Sequence, residues 1–498
     1  DHLATSTYPD HLATSTKSVE VREMKRILWG GATAASQYEG GFYDGKGMDT
    51  QDCRRWIPRL SNDTIQTRLL TEADIRNAKN SRSDDCRFPF RMGSRGYEYW
   101  ESDLHYITSL GLDVYRLSIS WARLFPTGFE DQPNPEGVMY YDRIIRTLAH
   151  AGIKVFITIN HYAMPIAIVD KYGGWRHRDV IDLYLKMAKF VVDRWQENVD
   201  YWLPVNEINS GYFSPYNGLG IIGTIDYSYD YRSVFNGLHY QMIASALITK
   251  YGRDIGARGK FVCMVSCFDY YALHPTPEDN MKLVHDEQIN QWWCADVLAT
   301  GEYGYYTEKF LADHGVVLDI TDKDRGILRS NTCDIVSFSY YSSSICSVDE
   351  KREQVPGNLV PTLRNPSLEA TEWGWQIDPM GLRITAHKVY DRYRKPIMVA
   401  ENGLGARDNV DSDGRIHDNY RISYLERHME QAELAVREGV DIEAYFVWGI
   451  IDIVSAGSCE MEKRYGVVYV SDNEGRGTYK RLPKDSFYWY RDFIASHR

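Results

Sequence analysis

The feature that most constrains the fold is an alternation of strand-like and helical segments along the chain. Short apolar runs rich in β-branched residues lie at 27–31, 114–119, 155–159, 201–205, 261–266, 335–340, 397–400 and 444–447. Helical periodicity fills most of the intervals, as at 181–195, 238–251, 381–393 and 420–438. Eight alternations predict an α/β protein with a single (β/α)8 (TIM) barrel. A doubly wound α/β sheet is the alternative, but it would leave the eighth strand unexplained.

The domain organisation follows from the absence of linkers. No stretch rich in Pro, Gly or Ser divides the 498 residues, so we expect one domain whose unequal strand spacing reflects long loops after the strands. The first residues differ, because the segment 1–7 recurs as 10–16. A direct repeat this short cannot form a domain. It indicates a leader or an added segment at 1–16, in front of a barrel domain at 17–498.

Charge and composition exclude several classes of function. The net charge of −12 argues against nucleic acid or an anionic membrane as partner. No apolar run reaches membrane-spanning length, since the longest, 444–451, ends at Asp452. The eight cysteines show no zinc-binding spacing and favour reduced thiols in the cytoplasm, although a glycosylation sequon at Asn62 is weak contrary evidence. No metal site is predicted, and a homo-oligomer is left open.

Two strands are followed by a glutamate where a buried run has no structural need for a charge. Glu401 follows the run 397–400, and Glu207 follows the run 201–205. A carboxylate at such a position is costly unless it has a partner or a task. Two carboxylates at one end of a barrel are the minimum equipment for hydrolysing a glycosidic bond. Their separation, about 5 Å for retention and about 6.5–9.5 Å for inversion, is not fixed by the sequence.

Other strand ends carry polar or aromatic residues that should converge on the same pocket. We expect Glu401 to be the nucleophile, kept ionised by Arg116 and hydrogen-bonded by Tyr341, and Glu207 to be the general acid and then base. The remaining candidates offer hydrogen bonds or an apolar face to a sugar ring: Gln37, His161, Asn206, Trp448 and, from a loop, Trp375.

These residues lie in motifs that resemble glycoside hydrolase family 1, the retaining β-glucosidases. The matching stretches are 29–40 (WGGATAASQYEG), 115–123 (YRLSISWAR), 206–209 (NEIN), 401–403 (ENG) and the region of Trp448. The resemblance implies a (β/α)8 barrel, retention of configuration and no cofactor. It also places the acid/base on Glu207, the nucleophile on Glu401 and sugar contacts on Gln37, His161, Asn206 and Trp448.

One further stretch resembles the 6-phospho-β-glucosidase branch of that family. Most members follow the eighth strand with Phe-Glu-Trp, whose Glu holds sugar hydroxyls, but here Val454-Ser455-Ala456 stands in its place. Losing an anion and gaining donors suits a phosphate on the sugar O6. The resemblance implies that Ser455, Lys463 and Tyr465 bind this phosphate, and Ala456 favours glucose over galactose. Without this resemblance, Ser455, Lys463 and Tyr465 would be interpreted as part of an ordinary surface loop.

Several positions depart from the family pattern. Ala163 replaces an acidic residue, and Pro204 stands two residues before Asn206, where its missing N–H should cost a ladder bond or cause a bulge. The segment 97–103 also differs from the family pattern. An arginine-rich insertion at about 44–96 is expected to be a solvated rim loop, with a gating role as the alternative.

The leading hypothesis is therefore a cytoplasmic 6-phospho-β-glucosidase that acts on a small phosphorylated β-glucoside. A hydrolase of non-phosphorylated β-glucosides is the second hypothesis. A catalytically weak sugar-binding or scaffold protein is the third, motivated by Ala163, Pro204 and the insertion.

Overall fold

The computed structural model describes residues 24–57, 70–81, 87–224, 226, 228–349, 354–355, 362–371, 374–472 and 477–498. The repeat at 1–16 and Asn62 lie outside these residues. Eight parallel strands form a closed barrel in the order β1-β8-β7-β6-β5-β4-β3-β2. The predicted fold is confirmed. The strands are β1 Leu28–Ala32, β2 Val114–Ser118, β3 Lys154–Asn160, β4 Tyr201–Val205, β5 Lys260–Ser266, β6 Ile335–Ser339, β7 Ile397–Asn402 and β8 Ile442–Trp448.

A principal helix lies between each strand and the next, and a last one follows β8. These are α1 Gly96–Leu110, α2 Pro135–His150, α3 Val180–Trp195, α4 Tyr231–Asp254, α5 Trp293–Thr300, α6 Pro379–Tyr393, α7 Asn419–Arg437 and α8 Asp485–Ser496. The four helices predicted from periodicity are confirmed to within a few residues, except that α4 begins seven residues earlier than 238. No helix in the described ranges is long and apolar enough to cross a membrane.

The loops between strands and helices carry short elements of their own. The short α-helices are Ala35–Tyr38, Glu72–Asn80, Trp121–Leu124, Ile166–Tyr172, Ser210–Phe213, Pro215–Leu219, Pro277–Glu287, Tyr305–Asp313 and Asp322–Ser330. Single turns of 3-10 helix lie at Gln51–Cys53, Pro89–Arg91 and Gly174–Arg176, and a π-helix at Gln288–Trp292. Two-stranded sheets pair Tyr270–Ala272 with Ser344–Cys346, Gln354–Val355 with Thr362–Leu363, Glu369–Ala370 with Gln376–Ile377, and Val468–Val470 with Arg481–Pro483.

The barrel interior is filled by side chains rather than open. Phe156 of β3 contacts the Phe446 ring of β8 at 5.4 Å between centroids and the Tyr201 ring of β4 at 5.8 Å. Gly30 of β1 is required by close approach, because a Cβ there would lie 2.6 Å from the carbonyl oxygen of Val114. This packed floor has a low dielectric constant and places polar groups at the carboxyl ends of the strands.

Pro204 interrupts the ladder as expected. The pairing of β4 with β5 covers only Tyr201 and Trp202, so it ends before Pro204. The carbonyl of Pro204 instead accepts a hydrogen bond from the Tyr184 hydroxyl at 2.7 Å. The strand is therefore released from β5 just before Asn206 and Glu207.

The arginine-rich insertion is not simply a solvated rim. Arg91 is fully buried and donates to the carbonyl oxygens of Asp52, Ser81 and Ala78 at 2.7–3.0 Å. Arg54 is also buried. The expectation of a solvated loop is thus wrong for these two arginines, because backbone carbonyls of the insertion surround Arg91 and the Phe90 ring covers Arg54.

A buried ion network fixes the segment that follows β8. The Lys484 ammonium, fully buried, contacts Asp408 at 2.6 Å, Asp452 at 2.9 Å and the carbonyl oxygen of Gly466 at 2.7 Å. Arg421 adds a 3.0 Å contact to Asp408. Each charged group in the network has an oppositely charged partner, so removing one member would leave buried carboxylates without a counter-charge.

We expect Lys484→Met to lower the free energy of unfolding by about 3–5 kcal/mol, because two buried aspartates lose a counter-charge. Chemical denaturation monitored by circular dichroism measures this change. The exposed neighbour Lys480 offers a matched control, and Lys480→Met should stay within about 0.5 kcal/mol of the parent protein. Equal stability of the two variants would contradict the assigned role of the network.

Candidate active site

Arg116 of β2 is the centre of the polar cluster at the carboxyl end of the barrel. Its guanidinium is fully buried. Nη1 donates to Glu401 Oε1 at 3.0 Å and to the carbonyl oxygen of Ala400 at 3.2 Å. Nη2 donates to Asn206 Oδ1 at 2.6 Å, and Nε to Thr158 Oγ1 at 2.9 Å. One side chain thus joins strands β2, β3 and β7 to the end of β4.

Glu401 receives a second donor from Tyr341, whose hydroxyl lies 2.6 Å from Oε2. Burial, followed by the charge of Glu207, raises the pKa of the Glu401 carboxyl, whereas Arg116 and Tyr341 lower it. The effects that raise the pKa outweigh those that lower it, so the pKa of the Glu401 carboxyl lies above its ordinary value.

Glu207 follows β4 in a strained conformation. Its φ is 37°, in the left-handed region that residues with a side chain rarely adopt. Tyr162, with φ of 67°, donates its hydroxyl to Glu207 Oε2. Strained non-glycine residues persist where the surrounding structure holds them and cluster at functional sites. Sequence analysis missed Tyr162, although its place beside His161 at a strand end was the signal that could have found it.

Three expected sugar-binding residues carry buried polar atoms without a partner among the described residues. These atoms are Gln37 Oε1, His161 Nδ1 and Asn206 Nδ2. Burial, with a smaller effect of Arg116, lowers the pKa of His161 well below its usual value, so the imidazole is neutral. Such unpaired atoms are costly unless a ligand supplies their hydrogen bonds. Their donor and acceptor mixture fits sugar hydroxyls.

Trp448 ends β8 and lies against His161. The two rings are stacked, with centroids 5.5 Å apart and planes at 17°. Tyr162 meets the His161 ring edge-on at 5.1 Å. This aromatic group borders the polar cluster and provides the flat apolar surface that a pyranose ring can cover.

The residues expected to bind phosphate form a second buried group next to the carboxylates. Tyr465 is hydrogen-bonded to Ser455, and its ring lies 6.1 Å from that of Tyr341. The Lys463 ammonium lies 4.8 Å from the Trp375 ring centroid and 5.9 Å from that of Tyr465. None of these five side chains is more than 6 % exposed. The sequence left open whether Trp375 contacts the sugar or only packs, and in the structure the Lys463 ammonium lies over its ring.

Gly405 and Gln37 lie where the two groups meet. A Cβ on Gly405 would lie 2.8 Å from Lys463 Cε, so the absence of a side chain there lets the lysine stem approach the segment just after β7. Gln37 Nε2 donates to the carbonyl oxygen of Val454 at 2.8 Å, next to Ser455. The twelve residues expected from the sequence are thus all buried and form neighbouring groups at one end of the barrel.

Comparison with known proteins identifies the family. The family model for glycosyl hydrolase family 1 matches residues 22–498. The chain belongs to glycosyl hydrolase family 1. The resemblance seen in the sequence motifs is confirmed, and the protein is a glycosyl hydrolase with the barrel of that family.

Family 1 relatives match almost the whole chain. An aryl-phospho-β-D-glucosidase, BglH, of Bacillus subtilis is 39% identical and covers 96% of this chain and 99% of its own. A phospho-cellobiase of Klebsiella oxytoca is also 39% identical, over 95% of this chain and 97% of its own. Among solved structures, a β-glucosidase of Thermotoga maritima in complex with glucoimidazole superposes with a TM-score of 0.79 at 28% identity, covering 95% and 98% of the two chains.

Further buried contacts hold this family 1 site in place and were not expected from the sequence. Asn402 donates to the carbonyl oxygen of Tyr340 at 2.9 Å and accepts a hydrogen bond from the Tyr445 hydroxyl. Arg123 pairs with Glu39 at 2.7 Å, two residues after Gln37. These groups fix the backbone that carries Glu401 and Gln37. Their role depends on which strands are neighbours, so the linear sequence gave little signal for them.

Replacing Arg116 tests how the buried carboxylate is held. Arg116→Met leaves Glu401 without its cationic partner, so we expect the free energy of unfolding at neutral pH to fall by about 3–5 kcal/mol. The double variant Arg116→Met/Glu401→Gln removes the stranded charge and should recover part of this loss. Urea unfolding of both single variants and of the double variant completes the cycle. Additive losses would contradict direct coupling.

Proposed function

We propose that the protein hydrolyses β-glucosides phosphorylated at O6, with retention of configuration by double displacement. The observation that carries the proposal is the buried group of Ser455, Lys463 and Tyr465, which adjoins the nucleophile candidate through Tyr341. The names of the phosphoglucosidase relatives support the same substrate class.

In the first step Glu401 attacks the anomeric carbon while the bond to the leaving oxygen breaks. Glu207 gives its proton to that oxygen, so the aglycone departs neutral. The cationic Arg116 and the Tyr341 hydroxyl both donate to Glu401, which favours the charge on this carboxylate, and the mechanism therefore assigns the transferred proton to Glu207. This assignment gives each glutamate the protonation state that its step requires.

In the second step Glu207, now a carboxylate, takes a proton from water. The water oxygen attacks the anomeric carbon, the bond to Glu401 breaks, and the acid/base is again protonated. Tyr162 orients the Glu207 carboxyl through its hydroxyl. The unpaired atoms of Gln37, His161 and Asn206 would bind the sugar hydroxyls throughout.

Charge explains why the second buried group suits a phosphate. Lys463 supplies a cation, and the hydroxyls of Ser455 and Tyr465 supply donors, close to a sugar bound against Glu401. Burial raises the pKa of the Tyr465 phenol, so it remains a donor. A phosphorylated sugar carries charge and does not cross a membrane unaided, so we also propose that the protein meets its substrate in the cytoplasm. The seven cysteines within the described ranges, all buried and free, agree with that compartment.

Parallel hydrolysis of p-nitrophenyl β-D-glucoside and its 6-phosphate tests the proposal. We expect kcat/KM for the 6-phosphate to exceed that for the plain glucoside by at least about a hundredfold, since a lost charge-assisted contact costs about 1.5–3 kcal/mol and more than one is involved. Lys463→Met should remove most of this preference. The exposed Lys480 is the control residue, and Lys480→Met should keep the preference for the 6-phosphate.

Hydrolysis of only the plain glucoside would overturn the phosphate assignment and leave the two glutamates in their roles. Saturable binding without turnover would favour the sugar-binding alternative.

Ser455→Glu restores the carboxylate that most family members carry. Like charges should then repel the phosphate, so we expect kcat/KM for the 6-phosphate to fall by at least about a hundredfold while that for the plain glucoside rises. Ser455→Ala, which removes a donor without adding charge, is the matched variant and should cost the 6-phosphate about tenfold. Similar losses in the two variants would contradict a role of charge at this position.

The pH dependence of kcat/KM tests whether the hydrogen bond from Tyr341 stabilises the ionised form of Glu401. The Tyr341 hydroxyl stabilises the ionised Glu401 and so lowers its pKa. Tyr341→Phe removes this effect, the pKa of Glu401 rises, and the acidic limb of the profile should move to higher pH. The adjacent Tyr340→Phe is the control, because its hydroxyl donates to the Asp378 carbonyl oxygen instead. An unmoved acidic limb in Tyr341→Phe would count against Glu401 as the ionised nucleophile.

A further inference from the structure

Arg54 is a buried cation that has no acidic partner among the described residues. It is 2 % exposed, in the long loop after β1. Within the described chain, the only hydrogen bond of its guanidinium joins Nη1 to Gln51 Oε1 at 3.1 Å. One face of the guanidinium lies 4.9 Å above the Phe90 ring centroid. Burial lowers the pKa of Arg54, and none of the groups that oppose this shift is a carboxylate. A buried charge without a counter-ion costs several kcal/mol, so a ligand is expected to complete it.

The other buried arginines near the site have a carboxylate partner or several carbonyl partners, which makes Arg54 distinctive. Arg116 pairs with Glu401, Arg123 pairs with Glu39, and Arg91 donates to three carbonyl oxygens. Arg54 has free donors at Nε and Nη2 with respect to the described residues. Those donors form the fork that recognises a carboxylate through two parallel hydrogen bonds.

The neighbours of Arg54 place it on the acid/base side of the site. The ionisable groups that interact electrostatically with Arg54 are Cys459, Tyr216 and Tyr162, which follow β8, β4 and β3 respectively. Tyr162 is the residue that donates to Glu207. Glu207 protonates the leaving oxygen in the proposed mechanism, so we assign its partner Tyr162 and the neighbouring Arg54 to the side of the leaving group.

We propose that Arg54 binds a carboxylate on the aglycone and so selects phosphorylated β-glucosides with an anionic leaving group. The inference rests on the proposed function for its substrate class. The sugar phosphate and the aglycone carboxylate would be held at opposite ends of the substrate, by Lys463 and Arg54, with the two glutamates between them.

The phosphate itself is the competing occupant, because Cys459 stands four residues after Ser455 in the same loop. The loop between the two groups carries Glu460, whose carboxylate accepts a hydrogen bond from Trp56 Nε1 at 3.3 Å. This carboxylate repels a phosphate and an aglycone carboxylate alike, so it does not distinguish the two occupants. The test below separates the two occupants.

The test compares 4-carboxyphenyl β-D-glucoside 6-phosphate with its 4-carbamoylphenyl analogue, which has the same shape and no charge. The quantity measured is the ratio of kcat/KM for the carboxylate to that for the amide. We expect Arg54→Met to lower this ratio about tenfold to a hundredfold relative to the parent enzyme. Arg54→Lys keeps the charge without the fork and should give an intermediate ratio. Comparing ratios between variants cancels the difference in leaving-group reactivity. The exposed neighbour Arg55 is the control, and Arg55→Met should leave the ratio unchanged.

Each outcome decides for or against the proposal. A fall in kcat/KM of Arg54→Met by the same factor for both substrates would overturn it and indicate phosphate binding or a structural role. Urea unfolding separates these two, because loss of an unpaired buried charge should not lower the stability. If the parent enzyme hydrolyses only non-phosphorylated glucosides, the proposed function fails on its own. The same ratio is then measured with the plain 4-carboxyphenyl and 4-carbamoylphenyl β-D-glucosides, and an unchanged ratio in Arg54→Met overturns the role of Arg54.

Discussion

The contacts of the Arg116 guanidinium are the constraint on which the site depends. A fully buried cation is tolerated only if oxygen acceptors surround it, and here they come from two strands, β3 and β7, and from the end of β4. Closing the barrel in this strand order is what brings Glu401 and Asn206 within reach. The Phe156 ring, 5.5 Å from Arg116 Cζ, forms an apolar floor that strengthens each of these interactions. Fold and active site are therefore stabilised by the same side chain.

The segment after β8 depends on a second buried charge cluster. Lys484, at the start of α8, is bonded to Asp452 and to the carbonyl oxygen of Gly466, on either side of the proposed phosphate residues. Arg464, beside Lys463 and Tyr465, contacts Asp452 at 3.4 Å. Because buried polar contacts hold both ends of this loop, Lys463 can have a fixed position although the loop contains no helix or strand around it. The position of Lys463 is thus determined by charges far from it in sequence.

The sequence predicted the fold and most of the candidate site because the signals were local. Apolar runs marked all eight strands, and two of them were followed by a glutamate where a buried run has no structural need for a charge. The predicted strand ends were wrong where pairing with neighbouring strands, rather than composition, determines the end. An example is β7, which continues beyond residue 400 through Glu401 and Asn402. Tyr162 and Arg54 were missed as site residues for the same reason. Tyr162 has a strained backbone, and Arg54 is a buried cation without a described counter-ion. Both features depend on neighbours that are distant in the sequence.

The distribution of charge within the site is opposite to that of the whole chain. The protein carries a net charge of −12, yet Arg116, Lys463 and Arg54 are buried at one end of the barrel. Arg116 is neutralised by Glu401, and burial keeps His161 uncharged. An anionic substrate approaches a protein of net negative charge, so long-range attraction to the whole protein does not select it. Selection instead occurs after entry, where a low dielectric constant makes contact with a buried cation strong and rejection of an uncharged analogue correspondingly large.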